Sequence, residues 1–116
     1  MKIRIDPLDT LFSCFIRLRD KVCQRCLQPH ALQTAHFHGR GEKSIRWDED
    51  NACGLCGGCH MYLDSHPMEK VEFFQSLLGA RFDLLNARRR VRQKPDRWAL
   101  TLYFKQKIKE LEVANE

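Results

Sequence analysis

Apolar residues recur at helical spacing near both ends of the chain and predict a mostly helical fold. Asp6 followed by Pro7 is typical of a helix N-terminus, and this helix is expected to end near Asp20. Its apolar face has the i, i+3, i+4, i+7 spacing of Leu8, Leu11, Phe12 and Phe15. Similar faces predict one helix over residues 71–78, a second that begins near residue 82 and runs into residues 88–92, and a last one that includes residues 100–111.

The middle of the chain has a different pattern, which predicts a β-hairpin followed by a short helix. Residues 31–38 have the composition of a strand, residues 39–41 form a turn, and residues 44–47 are expected to form the second strand. A short helix over residues 58–65 should end before Pro67. Residues 1–5 alternate briefly and predict an edge strand. The fold class is therefore α+β, mostly helical, with Trp47 and Trp98 expected in the core.

Composition narrows the class of protein. A chain of 116 residues, 43% hydrophobic and 30% charged, is expected to fold as a single domain. The start of the chain does not resemble a signal peptide, and no apolar run reaches membrane length, so we expect a cytoplasmic protein that does not enter a membrane. The net charge of +5 favours a polyanionic partner such as DNA.

Paired cysteines at C-x2-C spacing predict a structural zinc site. Cys23 and Cys26 form one pair, Cys56 and Cys59 form another, and two such turns supply the four ligands that zinc prefers. The register is ambiguous, because Cys53 and Cys56 also have this spacing. We favour the later pair, since a helix that begins at that turn places His60 on its first turn. An iron–sulfur cluster, redox chemistry and unliganded thiols remain alternatives.

Four histidines near the cysteines are candidates for catalysis. His36 and His38 lie two residues apart and would share one face of a strand, whereas His60 and Asp64 lie four apart and would share one face of a helix. If the hairpin folds over that helix, the two faces meet. Histidine titrates near neutral pH and can accept a proton from water. His66, just before Pro67, is a further candidate.

Three segments in the same region carry a resemblance to a known family. Residues 32–37 (LQTAHF), 45–51 (IRWDEDN) and 55–60 (LCGGCH) resemble the HNH endonucleases, and are especially similar to zinc-containing phage and prophage forms that include NinG-like recombination nucleases. The similarity spans roughly residues 23–78. It implies a ββα-metal core over residues 22–66, between an N-terminal strand and helix (1–21) and C-terminal helices (67–116).

The resemblance also implies residue roles and a second metal. His36 matches the general base, Asn51 the asparagine that holds the hairpin loop, and His60 a ligand of a catalytic Mg²⁺ or Mn²⁺ ion. Asp64 matches a further ligand. Many members have an acidic residue or a histidine where this chain has Ala35, so the metal shell is thinner here, and His38 or His66 could compensate. The implied reaction is cleavage of DNA to 3′-hydroxyl and 5′-phosphate ends.

Arginines near the hairpin and along the predicted helix that begins near residue 82 are the expected DNA contacts. The set is Arg40, Arg46, Arg88, Arg89 and Arg92. The apolar terminal helices could also pair in a homodimer. The alternative function is a non-catalytic zinc-ribbon module, such as a degenerate HNH fold, that binds nucleic acid or a protein partner. Such a binder would not need the quartet of His36, Asn51, His60 and Asp64.

Overall fold

The computed structural model describes residues 4–115, which form five α-helices and one small sheet. In chain order the elements are α1 (Pro7–Asp20), β1 (Leu32–His36), β2 (Ala52–Cys56), α2 (Gly57–Ser65), α3 (Pro67–Leu78), α4 (Arg81–Val91) and α5 (Arg97–Ala114). Two short 3₁₀ turns, Lys43–Ile45 and Glu49–Asn51, lie in the segment between the strands. The predicted α+β class with mostly helical content is confirmed.

The helix ends follow the local signals in the sequence. The side chain of Asp6 accepts a hydrogen bond from the Leu8 N–H at 2.9 Å, as expected of an N-cap. Gly79 ends α3 with a φ of 58°, a conformation that favours glycine. Asp96 caps α5 by accepting from the Ala99 N–H.

The prediction of the second strand is wrong. Residues 44–47 do not extend; Ile45 ends a 3₁₀ turn, and the strand that pairs with β1 is Ala52–Cys56. The pairing is antiparallel, with Leu32 opposite Cys56 and His36 opposite Ala52. The first four residues of β2 are buried regardless of which way they point, so this strand lacks the alternation of a half-exposed strand.

Two further expectations need correction or fall outside the described residues. Trp47 is buried as predicted, but Trp98 is 73% exposed on α5. The predicted edge strand over residues 1–5 lies largely outside the described residues, and Arg4 and Ile5 are not in a strand. No helix within residues 4–115 combines the length and the apolar composition needed to cross a membrane.

The sheet separates two apolar clusters. On one side, α1 and α5 pack together around Phe12, Phe15 and Phe104, with Ala52 of β2 in the same cluster. On the other side, α2, α3 and α4 pack around Phe74 and Leu85, with Ala35, Cys53 and Leu55 from the sheet. Because neighbouring residues on a strand point to opposite faces, each side chain of β1 is assigned to one side or the other.

Candidate functional site

Four cysteines from two separate segments converge at one end of the sheet. The sulfur atoms of Cys23, Cys26, Cys56 and Cys59 all lie within 4.8 Å of one another. The first two come from the turns that follow α1, Cys56 ends β2, and Cys59 lies in the first turn of α2. This grouping confirms the predicted set of four cysteines and fits the tetrahedral coordination of zinc.

Backbone N–H groups around the cluster favour ionised sulfur. The Cys59 N–H donates to the Cys56 Sγ at 3.4 Å, and the Cys26 N–H donates to the Cys23 Sγ at 3.5 Å. Burial would raise the pKa of Cys23, but backbone N–H donors, including that of Cys26, lower this pKa to about 6. A thiolate is the form that binds zinc. Burial raises the pKa of Cys59 to about 11 and, although a backbone donor at Gln28 opposes it, also raises the pKa of Cys26, so zinc binding would displace protons from these two sulfurs.

Cys53 lies outside this group and so resolves the ambiguous register. It is fully buried, opposite Ala35 in the sheet, and its side chain belongs to the apolar cluster under α3 and α4. Burial, together with the nearby charge of Asp20, raises the pKa of Cys53 to about 12. Its thiol therefore stays neutral and behaves as a small apolar side chain.

Asn51 ties together the two ends of the segment between the strands. Its side chain is completely buried; Oδ1 accepts from the His38 N–H at 2.9 Å, and Nδ2 donates to the carbonyls of His38 (3.0 Å) and Ile45 (3.3 Å). In addition, the Phe37 N–H donates to the Asn51 carbonyl. The backbone immediately after His36 is therefore held by Asn51.

His36 lies on the α1 side of the sheet, at an open cleft. Its ring is 5.7 Å from that of Phe12, centroid to centroid. The cleft has a volume of about 330 Å³ and is lined by hydroxyl and charged side chains: Asp9, Thr10, Ser13, Arg17, Thr34, His36 and Arg40. Burial lowers the pKa of His36, and the positive charge of Arg40 adds to this effect. The imidazole is thus neutral near pH 7, and its buried Nε2 has no hydrogen-bond partner within residues 4–115.

Asp9 organises the cations beside this cleft. It accepts hydrogen bonds from the Arg46 Nε at 3.0 Å and the Trp47 Nε1 at 2.9 Å, and Arg40 approaches it at 3.4 Å. Burial would raise the pKa of Asp9, yet the Arg46 and Trp47 donors lower it. Of the cleft's two arginines, Arg17 has no carboxylate partner in the described part of the chain.

His60 and Asp64 form a pair on the other side of the sheet. The His60 Nε2 is 3.3 Å from an oxygen of Asp64, and its Nδ1 is 2.7 Å from the Gln33 Oε1. Gln33 and His36 are three residues apart on β1, so their side chains point to opposite faces. The expectation that the faces of His36 and His60 meet does not hold in this structure.

The pair is also short of metal ligands. Lys70 binds the other oxygen of Asp64 at 2.8 Å. Among residues 4–115, the four-cysteine cluster is the one group of three or more histidine, cysteine or acidic side chains close enough to share an ion.

The two remaining candidate histidines are engaged elsewhere. β1 ends at His36, so His38 does not share a strand face with it; the His38 Nε2 instead lies 2.8 Å from the Asn86 Oδ1 on α4. His66 stacks on the ring of Tyr62 at 4.0 Å, and its Nδ1 is 2.7 Å from the Tyr62 carbonyl oxygen. Neither side chain lies among the residues that line the cleft of His36.

Most of the arginines expected to contact DNA are held in ion pairs. Arg88 binds Asp48 through Nε at 2.6 Å and Asp50 through Nη2 at 3.0 Å, and Arg89 binds Glu42. Inspection of α4 alone could not reveal these partners, because they lie about 40 residues away in sequence. In contrast, Arg92 has no carboxylate partner among the residues described.

Sequence reasoning missed the contribution of α1 to the histidine cleft. Ser13 and Arg17 lie four residues apart, on a single face of this helix. The Ser13 hydroxyl is 2.7 Å from that of Thr34 on β1, which fixes this face of α1 against the sheet. The spacing of Ser13 and Arg17 was the available signal, although it gave no indication of His36 as the neighbour.

The chain matches no protein-family model, no curated protein and no solved structure.

Proposed function

We propose that the chain is a nuclease of the HNH type, with a structural metal ion, that hydrolyses phosphodiester bonds in DNA. The observation that carries the proposal is the neutral imidazole of His36 in a cleft that also contains the guanidinium groups of Arg17 and Arg40. Further support comes from the order of the elements, strand, Asn51-held segment, strand and helix, which agrees with the resemblance of residues 32–60 to that family.

The side chains of the cleft suit this hydrolysis. The Nε2 of His36 is buried and unpartnered in the described residues, so a water molecule must reach it when substrate binds. His36 then accepts a proton from this water as the water oxygen forms a bond to phosphorus, and the bond from phosphorus to the 3′ oxygen breaks. The leaving oxygen takes its proton from solvent. Arg17 and Arg40 bind the non-bridging oxygens and stabilise the negative charge that accumulates on them.

The four cysteines would hold a structural zinc ion, because they offer four sulfur ligands and leave no open position for substrate. A catalytic Mg²⁺ or Mn²⁺ ion fits less well. His60 and Asp64 offer two ligands, of which Asp64 already binds Lys70. The proposed role of His36 does not depend on this pair.

Plasmid nicking tests the proposal. Wild type, His36→Ala and His30→Ala are incubated with supercoiled plasmid in the presence of Mg²⁺, Mn²⁺ or neither. His30 lies exposed in the segment before β1 and provides the matched control. We expect wild type and His30→Ala to nick at similar rates, and His36→Ala to be slower by at least about 100-fold, the usual contribution of a general base. Equal rates for His36→Ala and wild type would show that His36 is not the base.

A non-catalytic DNA-binding module is the second candidate. It is favoured by the separation of His36 from His60 and Asp64 across the sheet. On this hypothesis, zinc-loaded wild type binds DNA but leaves supercoiled plasmid intact with every metal tested. That result would rule out the nuclease and retain the binding function.

A further inference from the structure

A second concave site lies between the loop after β1 and the connection from α4 to α5. This cavity has a volume of about 780 Å³. Five cationic side chains line it: Lys43, Arg46, Arg92, Lys94 and Arg97. Glu42 is the acidic residue that lines it. A concave surface with this charge balance concentrates anions more strongly than a flat one.

Three of the five positive charges are uncompensated. Arg46 binds Asp9 and Arg97 binds Asp6, so these two side chains are already neutralised. The carboxylate of Glu42 is bound by Arg89. Lys43, Arg92 and Lys94, by contrast, have no carboxylate within 4.0 Å in the described range of 4–115. The cavity therefore retains an excess of positive charge that ion pairs within the protein do not satisfy.

The cavity is adjacent to the histidine cleft. Asp9 lines the cleft, and it accepts hydrogen bonds from Arg46 and Trp47, which line the cavity. The two concave sites thus flank one carboxylate. A ligand that occupies both must carry several anionic groups in a row, as a nucleic acid strand does.

Aromatic stacking on bases is not available in this cavity. Trp47 is 8% exposed, and its ring is packed between the guanidinium groups of Arg46, at 5.0 Å, and Arg97, at 4.8 Å. The cationic groups that remain accessible are suited to phosphate, the ligand whose contacts position a strand without reading its sequence.

We propose that this cavity is a phosphate-binding groove for nucleic acid, in which Lys43, Arg92 and Lys94 contact the backbone phosphates next to the one in the His36 cleft. The inference rests on the proposed function for its position along the strand. Binding in the groove is independent of base sequence and depends strongly on salt. Of the arginines expected from sequence to contact DNA, Arg92 supplies one of the groove's free charges.

A measurement of DNA affinity tests the groove separately from the proposed catalysis. The double variant Lys43→Gln/Lys94→Gln removes one charge from each wall, and Lys105→Gln/Lys109→Gln on α5 removes the same charges elsewhere. Affinity for a fluorescein-labelled 20-base-pair duplex is measured by anisotropy in EDTA-free buffer without added Mg²⁺ or Mn²⁺, between about 0.05 and 0.3 M salt. Each lost phosphate contact should reduce affinity about eightfold at 0.1 M salt, or roughly 60-fold for the pair, and should reduce the salt slope by about 0.9 per contact.

A large loss of affinity and a shallower salt slope for the cavity variant alone support the groove, whether or not wild type nicks plasmid. Equal affinities for the two double variants overturn it, even if nicking by wild type upholds the catalytic proposal. Absence of duplex binding by wild type also overturns it. Binding to vesicles that contain phosphatidylserine is measured in parallel; if the cavity variant loses vesicle binding but not duplex binding, the surface is a lipid contact and the groove is overturned.

Discussion

Replacement of Asn51 by alanine should destabilise the fold more than replacement of an exposed polar residue would. The side chain is completely buried and makes three hydrogen bonds, all to backbone groups of His38 and Ile45. A hydrogen bond contributes about 0.5–1.5 kcal/mol net, so the three together contribute about 3 kcal/mol. Backbone groups that lose their partners in the protein interior raise the expected cost to as much as about 5 kcal/mol.

Urea unfolding of the zinc-loaded protein measures this cost. With an m-value of about 1–3 kcal/mol/M, a loss of about 3 kcal/mol lowers the midpoint by roughly 1–3 M. Asn86→Ala is the matched control, because it removes an amide bonded to the side chain of the same histidine, His38, through one contact. We expect that variant to lose about 1 kcal/mol.

A conservative variant distinguishes the hydrogen bonds from the loss of volume. Asn51→Asp retains the acceptor for the His38 N–H but turns a carboxylate oxygen towards the two carbonyl oxygens. It should therefore be as unstable at neutral pH as the alanine variant, although its volume is preserved. Equal stability of Asn51→Ala and Asn86→Ala would show that the side chain of Asn51 does not hold the segment after His36 in place.

Two further predictions concern the metal cluster and pH. Cys56→Ser should lose bound zinc in metal analysis and lose cooperative melting, whereas Cys53→Ala should retain one zinc per chain because its sulfur lies outside the cluster; stoichiometric zinc in Cys56→Ser would contradict the four-cysteine site. For His36, the folded pKa is below the usual 6.5, so the unfolded state binds more protons as the pH falls. The contribution of His36 to the free energy of unfolding is therefore complete above about pH 6.5 and is lost below it. In urea titrations between pH 7.5 and 5, wild type should lose stability relative to His36→Gln. Parallel plots of stability against pH for the two proteins would contradict the lowered pKa.

The sequence by itself determined the features that depend on neighbouring residues. Asp6 and Gly79 mark helix ends because capping and positive φ are local properties of the backbone. The spacing of Cys23 with Cys26, and of Cys56 with Cys59, predicted the cluster because two residues between ligands suit a tight turn around a metal. These parts of the fold and the site needed no knowledge of distant contacts.

Only the tertiary structure decided which of these features face one another. The second strand was misassigned because helices cover both faces of β2, so its buried residues do not alternate with exposed ones. Arg88 was expected to be free because Asp48 and Asp50 are distant in sequence, although they are its partners in space. His36 and His60 carry compatible chemistry, but the sheet places them on opposite sides. Because side chains alternate along β1, His36 lies instead beside Arg17 of α1 and Arg40 of the loop after β1.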